Sequence, residues 1–176
     1  MVAGSELAVT QTTVWLRHKG MITATGVMDN EQVYRAYAEE LTRYATGLVG
    51  PADAPDVVTD ACLRAFDAKA WPAVSNRRAY LYRTVLSVAN DHHRNSLSRR
   101  LREMKSAETH VTQPVEVDVD VLSAVERLSI RQRAAVVLTY WADLPVEVVA
   151  DRMGTSTGTV KRHLARARKK LKGWLS

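Results

Sequence analysis

Cysteine is almost absent: Cys62 is the single one in 176 residues. One thiol supports neither a disulfide framework nor a cysteine-based zinc site, so helix and core packing must hold the fold. Cys62 lies in the apolar run Ala61-Cys62-Leu63 and reads as a small buried hydrophobe rather than a reactive thiol. Long apolar runs are missing too, and none approaches the roughly 18 to 20 residues that cross a bilayer. The N-terminal apolar residues are interrupted by Thr, Gln, Arg and His, which argues against a secretory signal. No membrane association is expected, and the expected compartment is the cytoplasm. Catalytic motifs are equally scarce, with no HExxH, GxSxG or Walker loop. Asp91-His92-His93 is built from metal-ligating types, but neighbours on a helix point about 100° apart, so the three cannot converge on one ion. The expectation is therefore no enzyme, no cofactor and no metal site.

The last absence is one-sided. No acidic residue follows Asp151, although the chain has 25 Lys and Arg, a net charge of +6 and a pI near 9.7. Such a balance favours a polyanionic partner. A face serving solubility alone would mix its signs. Positive charge near a helix C-terminus also suits the helix dipole, so the charge has to be read together with its frame.

That frame is Leu144 to Trp174. Val146, Val149, Ala150 and Met153 recur at the spacing of one buried helix face. Gly154 supplies the left-handed residue that stops it, and Ser156 caps a second helix lined by Val160, Leu164, Ala167 and Leu171. Two short amphipathic helices joined by a turn containing Gly are a helix-turn-helix. The exposed side of the second helix carries Lys161, Arg162, Arg166, Lys169 and Lys170, which suits DNA contact.

Upstream the chain reads as helices. Residues 1–28 have weak periodicity and no assignable function. Asp29 or Asn30 caps a helix with Val33, Tyr34, Tyr37, Ala38, Leu41 and Tyr44 on one side, broken at Gly47, Gly50 and Pro51. A second is capped within Asp53 to Asp56 and buries Val57, Val58, Ala61, Cys62, Ala65 and Phe66. It leaves Asp56, Asp60, Arg64 and Asp67 opposite. Trp71 to Asn76 reads as a loop. A third helix runs from Asn76 or Arg77 to Leu97 and turns polar and basic in its second half. Aromatics beside a basic run suit single-strand stacking, yet Tyr80 and Tyr82 equally fit a helix core. Residues 106–120 gather Glu108, Glu116, Asp118 and Asp120 without Lys or Arg, and read as a linker or, by alternation, a strand. Helices then resume. Ser129 and Gln132 form a capping box, and Ala134, Val137, Leu138 and Trp141 supply an apolar face.

Three stretches in this order resemble the extracytoplasmic-function group of bacterial sigma factors. DVVTDACLRAF resembles region 2.2, NRRAYLYRTVLSVANDHHRN resembles regions 2.3 and 2.4, and LSAVERLSIRQRAAVVLTYWADLPVEVVADRMGTSTGTVKRHLARARKKL resembles region 4. The resemblance implies an all-α fold of two small helical domains joined by a flexible acidic linker. Region 2 would span 29–105, the linker 106–120 and region 4 121–176. It implies a transcription initiation factor whose partners are core RNA polymerase (β′ clamp helices and β flap), promoter DNA and an anti-sigma factor.

By the same resemblance, Asp56, Asp60, Leu63 and Arg64 would contact the polymerase. Asn76, Arg77, Tyr80, Arg83, Asn90, Asp91, His92 and Arg94 would open and read the −10 element, with the Pro72 to Arg78 loop as base pocket. Ser156, Thr157, Gly158, Thr159, Lys161, Arg162, Arg166, Lys169 and Lys170 would read the −35 element. Leu86-Ser87 replaces a frequent Arg-Asn of the family, and Pro145 stands where a Ser usually caps, leaving that role to Asp143. The alternative from another class is a helix-turn-helix regulator that acts without polymerase. The surface around Asp56, Asp60 and Arg64 separates the two, because a DNA-only regulator has no use for it.

Overall fold

The structure, a computed structural model, describes residues 29–106 and 121–174. Its helices are α1 (Asn30–Val49), α2 (Ala54–Asp67), α3 (Arg77–Ser106), α4 (Val121–Glu126), α5 (Ile130–Val136), α6 (Val146–Met153) and α7 (Thr157–Trp174). A 3-10 turn spans Trp71–Ala73 and a π turn spans Val137–Trp141. No strand occurs among the described residues, so the all-α reading holds; the N-terminal extension and nearly all of the acidic stretch lie outside them.

The chain divides into two units inside α1, Met1–Glu39 and Glu40–Ser176. The described part of the first begins α1 with a capping box. Gln32 N–H donates to Asp29 Oδ1 at 2.7 Å, and Asp29 N–H donates to Gln32 Oε1 at 3.0 Å. Val33 is fully buried, whereas Tyr34, expected on the apolar side, is 42% exposed. Adjacent helix residues point about 100° apart, so a stripe centred on Val33 turns Tyr34 outward.

The second unit holds everything else. Leu41, Ala45 and Leu48 of α1, Val58 and Ala61 of α2, and Leu81, Val85 and Ala89 of α3 are all buried. Each large aliphatic side chain contributes roughly 1.5–3 kcal/mol of burial before its ordering cost. α2 starts differently from expectation. Asp53 holds the N-cap position without a side-chain hydrogen bond, and Pro55 in the first turn fixes the entry instead. α3 runs past the expected end at Leu97 to Ser106 because no Gly or Pro interrupts it.

The C-terminal elements keep most of their signals. Ser129 and Gln132 form the expected capping box on α5. Trp141 does not join the α5 face and is 58% exposed, because the π turn widens the helix and rotates it off the stripe. Asp143 does not cap α6, which has no side-chain cap at all; it adopts φ 48, a left-handed turn that Asp tolerates. Gly154 ends α6 at φ 61, with its N–H shared between the carbonyls of Ala150 and Asp151. Val160, Leu164 and Ala167 then bury one face of α7, completing the helix-turn-helix.

Candidate nucleic-acid interface

α7 presents a cationic face on a secured start. Ser156 Oγ accepts the Thr159 N–H at 3.2 Å and lies 3.0 Å from Thr159 Oγ1, so this turn spends its own hydroxyl on capping. Thr157 and Gly158 are exposed beside it. Lys161, Arg162, Arg166, Lys169 and Lys170 are all exposed, and none forms an ion pair or side-chain hydrogen bond among the described residues. Five unneutralised cations on one helix can contact phosphates and base edges in a major groove. His163 was missed by sequence reasoning. It is half-buried on the same helix, and burial, with Arg131, Arg166 and Arg162 nearby, pushes its pKa below the ordinary histidine value.

The second group is not one cluster. Asn76, Arg77, Tyr80 and Arg83 gather at the start of α3, whereas Asn90, Asp91, His92 and Arg94 sit two to five turns further along it, roughly 10–27 Å away at 1.5 Å per residue. At the start, Asn76 caps α3, its Oδ1 accepting the Ala79 N–H at 3.0 Å. Its Nδ2 donates to Asp151 Oδ2 at 2.9 Å, and Arg83 Nη2 reaches Asp151 Oδ1 at 3.3 Å. Trp71 is buried, and its ring centre lies 5.7 Å from that of half-buried Tyr80 and 5.2 Å from that of Phe66. The rings touch, so the loop has no empty slot between Trp71 and Tyr80; its exposed rim is Pro72, Ala73, Ser75 and Asn76. The Arg77 guanidinium stacks 5.3 Å over Trp71. Tyr82 is core, 3% exposed.

Further along α3, Asn90 and Arg94 are exposed, but Asp91 and His92 are turned to α2. Asp91 Oδ2 lies 3.4 Å from Arg64 Nη1, and His92 Nε2 lies 3.8 Å from Asp53 Oδ2. Arg64 also grips Asp60 at 2.7 Å, with Asp60 the main reason its pKa is raised. These ties link the proposed polymerase surface to the α3 helix. Asp56 and Arg64 are exposed, Asp60 is half-buried, and Leu63 stands 58% exposed among them, an apolar knob in a charged rim. Cys62, on the opposite face of α2, is buried, and burial raises its pKa to about 11, which suppresses the reactive thiolate. Among the described residues no three metal-ligating groups gather, and no helix is long and apolar enough to cross a membrane.

Sequence reasoning missed the residues joining the α1–α3 half to the α4–α7 half. Arg133 is buried and donates to the backbone carbonyls of Leu48, Glu126 and Leu128; burial lowers its pKa. Arg152, also buried, lies 4.3 Å over the Tyr82 ring. A cavity of about 790 Å³ opens between Tyr44, Gly47, Tyr82, Trp141, Leu144 and Arg152. One clue was present: Arg133 precedes the apolar run AAVVL, where a charge needs a buried partner.

Comparison with known proteins finds relatives of both halves of the chain. The family model described as Sigma-70 region 2 matches residues 33–99, and that described as Sigma-70, region 4 matches 118–171. The RNA polymerase sigma-E factor of Streptomyces antibioticus is 30% identical over 156 residues, covering 83% of this chain and 84% of the relative. The ECF RNA polymerase sigma factor SigM of Mycobacterium tuberculosis is 30% identical, covering 80% and 74%. Two solved structures share the fold. One is sigma factor RpoE in complex with the anti-sigma factor NepR from Bartonella quintana (TM-score 0.53, 23% identity, 82% of this chain and 95% of that one). The other is CnrH in complex with the cytosolic domain of CnrY (TM-score 0.56, 24% identity, 83% and 86%).

Proposed function

This chain belongs to the extracytoplasmic-function group of RNA polymerase sigma factors, and from that premise we propose how its residues divide the work. It is a transcription initiation factor acting with core RNA polymerase; the polymerase-independent regulator is not favoured. In our reading α7 enters the major groove of the −35 element. Ser156, Thr157, Gly158 and Thr159 approach phosphates at the helix start, Arg162 and Arg166 reach base edges, and Lys161, Lys169 and Lys170 hold the backbone. The observation that carries this is the exposed, one-signed face of α7.

Region 2, within 29–105, docks on the β′ clamp helices through Asp56, Asp60, Leu63 and Arg64, and region 4, within 121–176, also meets the β flap. Melting must offset stacking of about 1.4 kcal/mol per base step, so duplex stays closed until protein captures the unpaired strand. Asn76, Arg77, Tyr80 and Arg83 serve that capture, with Asn90 and Arg94 following the strand along α3. Asp91 and His92 act there by holding α3 against α2. Two weak modules on one chain gain affinity through effective concentration, which gives the linker around 106–120 a function. The protein works by binding, without a reaction of its own, in the cytoplasm where promoter DNA is. The similar sigma factor RpoE, solved with the anti-sigma factor NepR, supports a partner of that kind here.

Permanganate footprinting tests the assignment. Holoenzyme containing this chain should make thymines near the start site reactive. Ala at Asn76, Arg77 or Tyr80 should lower that reactivity more than closed-complex binding, because the captured strand exists only after opening. A variant that melts thermally like wild type and opens promoters at the normal rate would remove the −10 assignment.

A further inference from the structure

Two arginines are buried, and only one of them is used up by the fold. Arg133 spends its Nη groups on three backbone carbonyls. Arg152 is 6% exposed, yet among the described residues it forms no ion pair and no side-chain hydrogen bond. Its partner is the Tyr82 ring, whose centre lies 4.3 Å from the guanidinium carbon. A ring face engages one side of the guanidinium plane and leaves the N–H groups, which lie in that plane, unspent. A buried charge is costly unless an anion pairs with it. Arg152 also lines the cavity of about 790 Å³, a volume within the roughly 300–1,000 Å³ of small-molecule sites. Tyr44 and Tyr82, with ring centres 4.9 Å apart, line it too. The π turn swings Trp141 off the α5 stripe and onto the same cavity, where its indole is 58% exposed.

We propose that this cavity binds a small aromatic carboxylate, its two oxygens on the Arg152 N–H groups and its ring against Tyr44 and Trp141. The planar fork of a guanidinium matches a carboxylate through two parallel hydrogen bonds. Charge balance sets the ligand at one negative charge. Of the other charged side chains lining the cavity, Arg78 is held by both oxygens of Glu40, and exposed Arg43 and Glu126 have opposite signs. The surplus is the charge of Arg152. A phosphate would bring a second negative charge towards Glu40 and Glu126, so the balance disfavours it. An aromatic body suits the walls, because stacking on Trp141 removes apolar surface of both partners from water. The cavity lining shares no residue with the α7 cations or with the polymerase surface of α2, so this site stands apart from the roles given to them.

Isothermal titration calorimetry on the full chain near neutral pH tests it with three probes: 2-naphthoate, the neutral 2-naphthalenemethanol of the same ring, and inorganic phosphate. Naphthoate should bind saturably, one per chain, and about tenfold tighter than the alcohol, as a charge-assisted pair requires. Phosphate in excess should not displace it. Arg152→Met keeps the bulk and removes the fork, and should bring naphthoate down to the affinity of the alcohol. Ala142 is exposed and lines the cavity, so Ala142→Trp should fill it and abolish naphthoate binding while melting like wild type. That second variant decides the matter if Arg152→Met fails to fold. Absence of saturable naphthoate binding overturns the inference. Equal affinity for the alcohol overturns it as well, since the cavity would then take any apolar body. Naphthoate binding that persists in Ala142→Trp places the anion elsewhere on the basic surface and overturns the site, and displacement by phosphate overturns the choice of a carboxylate.

Discussion

α7 and the start of α3 are both polar, both basic and both assigned to DNA, yet they are constructed oppositely. On α7 the cations stand clear of the fold, while Val160, Leu164 and Ala167 form its buried face. At the start of α3 the same side chains do structural work: Asn76 caps the helix, Arg77 stacks on Trp71, Tyr80 packs on that ring and Arg83 pairs with Asp151. A duplex reader needs only to present charge. A strand-capturing site must keep donors and rings in place with no strand present, so its residues satisfy one another meanwhile.

The comparison is broken most strongly by an arginine outside both regions. Arg133→Ala should leave the carbonyls of Leu48, Glu126 and Leu128 without their buried donor and cost about 2–3 kcal/mol of stability. At roughly 2–4 °C per kcal/mol for a chain of this size, Tm should fall by about 5–10 °C, read by calorimetry or circular dichroism. A melt within a degree of wild type would mean that water takes over the guanidinium's bonds and that the halves are less firmly joined.

Arginines of α7 should behave the other way. Arg162→Ala and Arg166→Ala are each expected to weaken −35 duplex binding by about 1–3 kcal/mol where they reach a base edge. Their stability should move by no more than about 0.5 kcal/mol, as for other exposed positions. Lys169→Ala and Lys170→Ala should weaken binding to all sequences alike and lower the salt slope by about 1 each. Equal losses in Tm and affinity at Arg162 would erase the distinction between the two regions.

A smaller effect is expected at α2. The exposed Asp60–Arg64 pair contributes about 0.2–1 kcal/mol to stability, so Arg64→Glu should barely shift Tm. It should nevertheless reduce capture of core polymerase, while a region 4 binding measurement on duplex by the same full chain stays constant. Capture at the wild-type level would place the docking surface elsewhere.

The same contrast explains what was legible in the sequence. Local signals read correctly wherever one residue decides: Gly154 stopping α6, Ser156 and Ser129 capping, Asp29 as one of two candidate caps of α1, the α7 stripe. They failed where a turn changes the period, as the π turn does to Trp141, or where a proline does the work of a cap, as at α2. The cationic face of α7 was visible because its charge has one sign over a continuous run. The tie between Asp151 and Asn76 was not, since the partners are 75 positions apart and each looks like an ordinary surface residue. The contacts of Asp91 and His92 were not legible for a related reason. Spacing gave their helix but not that α2 takes up their side chains.

The smallest expected effect concerns His163, half-buried on α7. Burial first, then Arg131, Arg166 and Arg162, hold its pKa below the usual histidine value in the free protein. The unfolded chain therefore binds more protons in that window. Stability is fully present above about 6.5, the ordinary histidine value, and is lost as pH falls through the depressed folded value. Bound DNA brings phosphates against Arg162 and Arg166 and cancels their repulsion, while burial stays as it was. His163 should then take up protons on binding, and by linkage acidification from pH 7.5 towards 6 should tighten −35 binding relative to a His163→Gln variant. The change should be smaller than the loss of either arginine. NMR titration of the His163 ring with and without duplex reads it directly, separately from His92 beside Asp53 on α2. A ring whose titration is the same in both states would show that DNA does not approach the side of α7 that carries Arg162 and Arg166, and the −35 reading would have to move to another face of the helix.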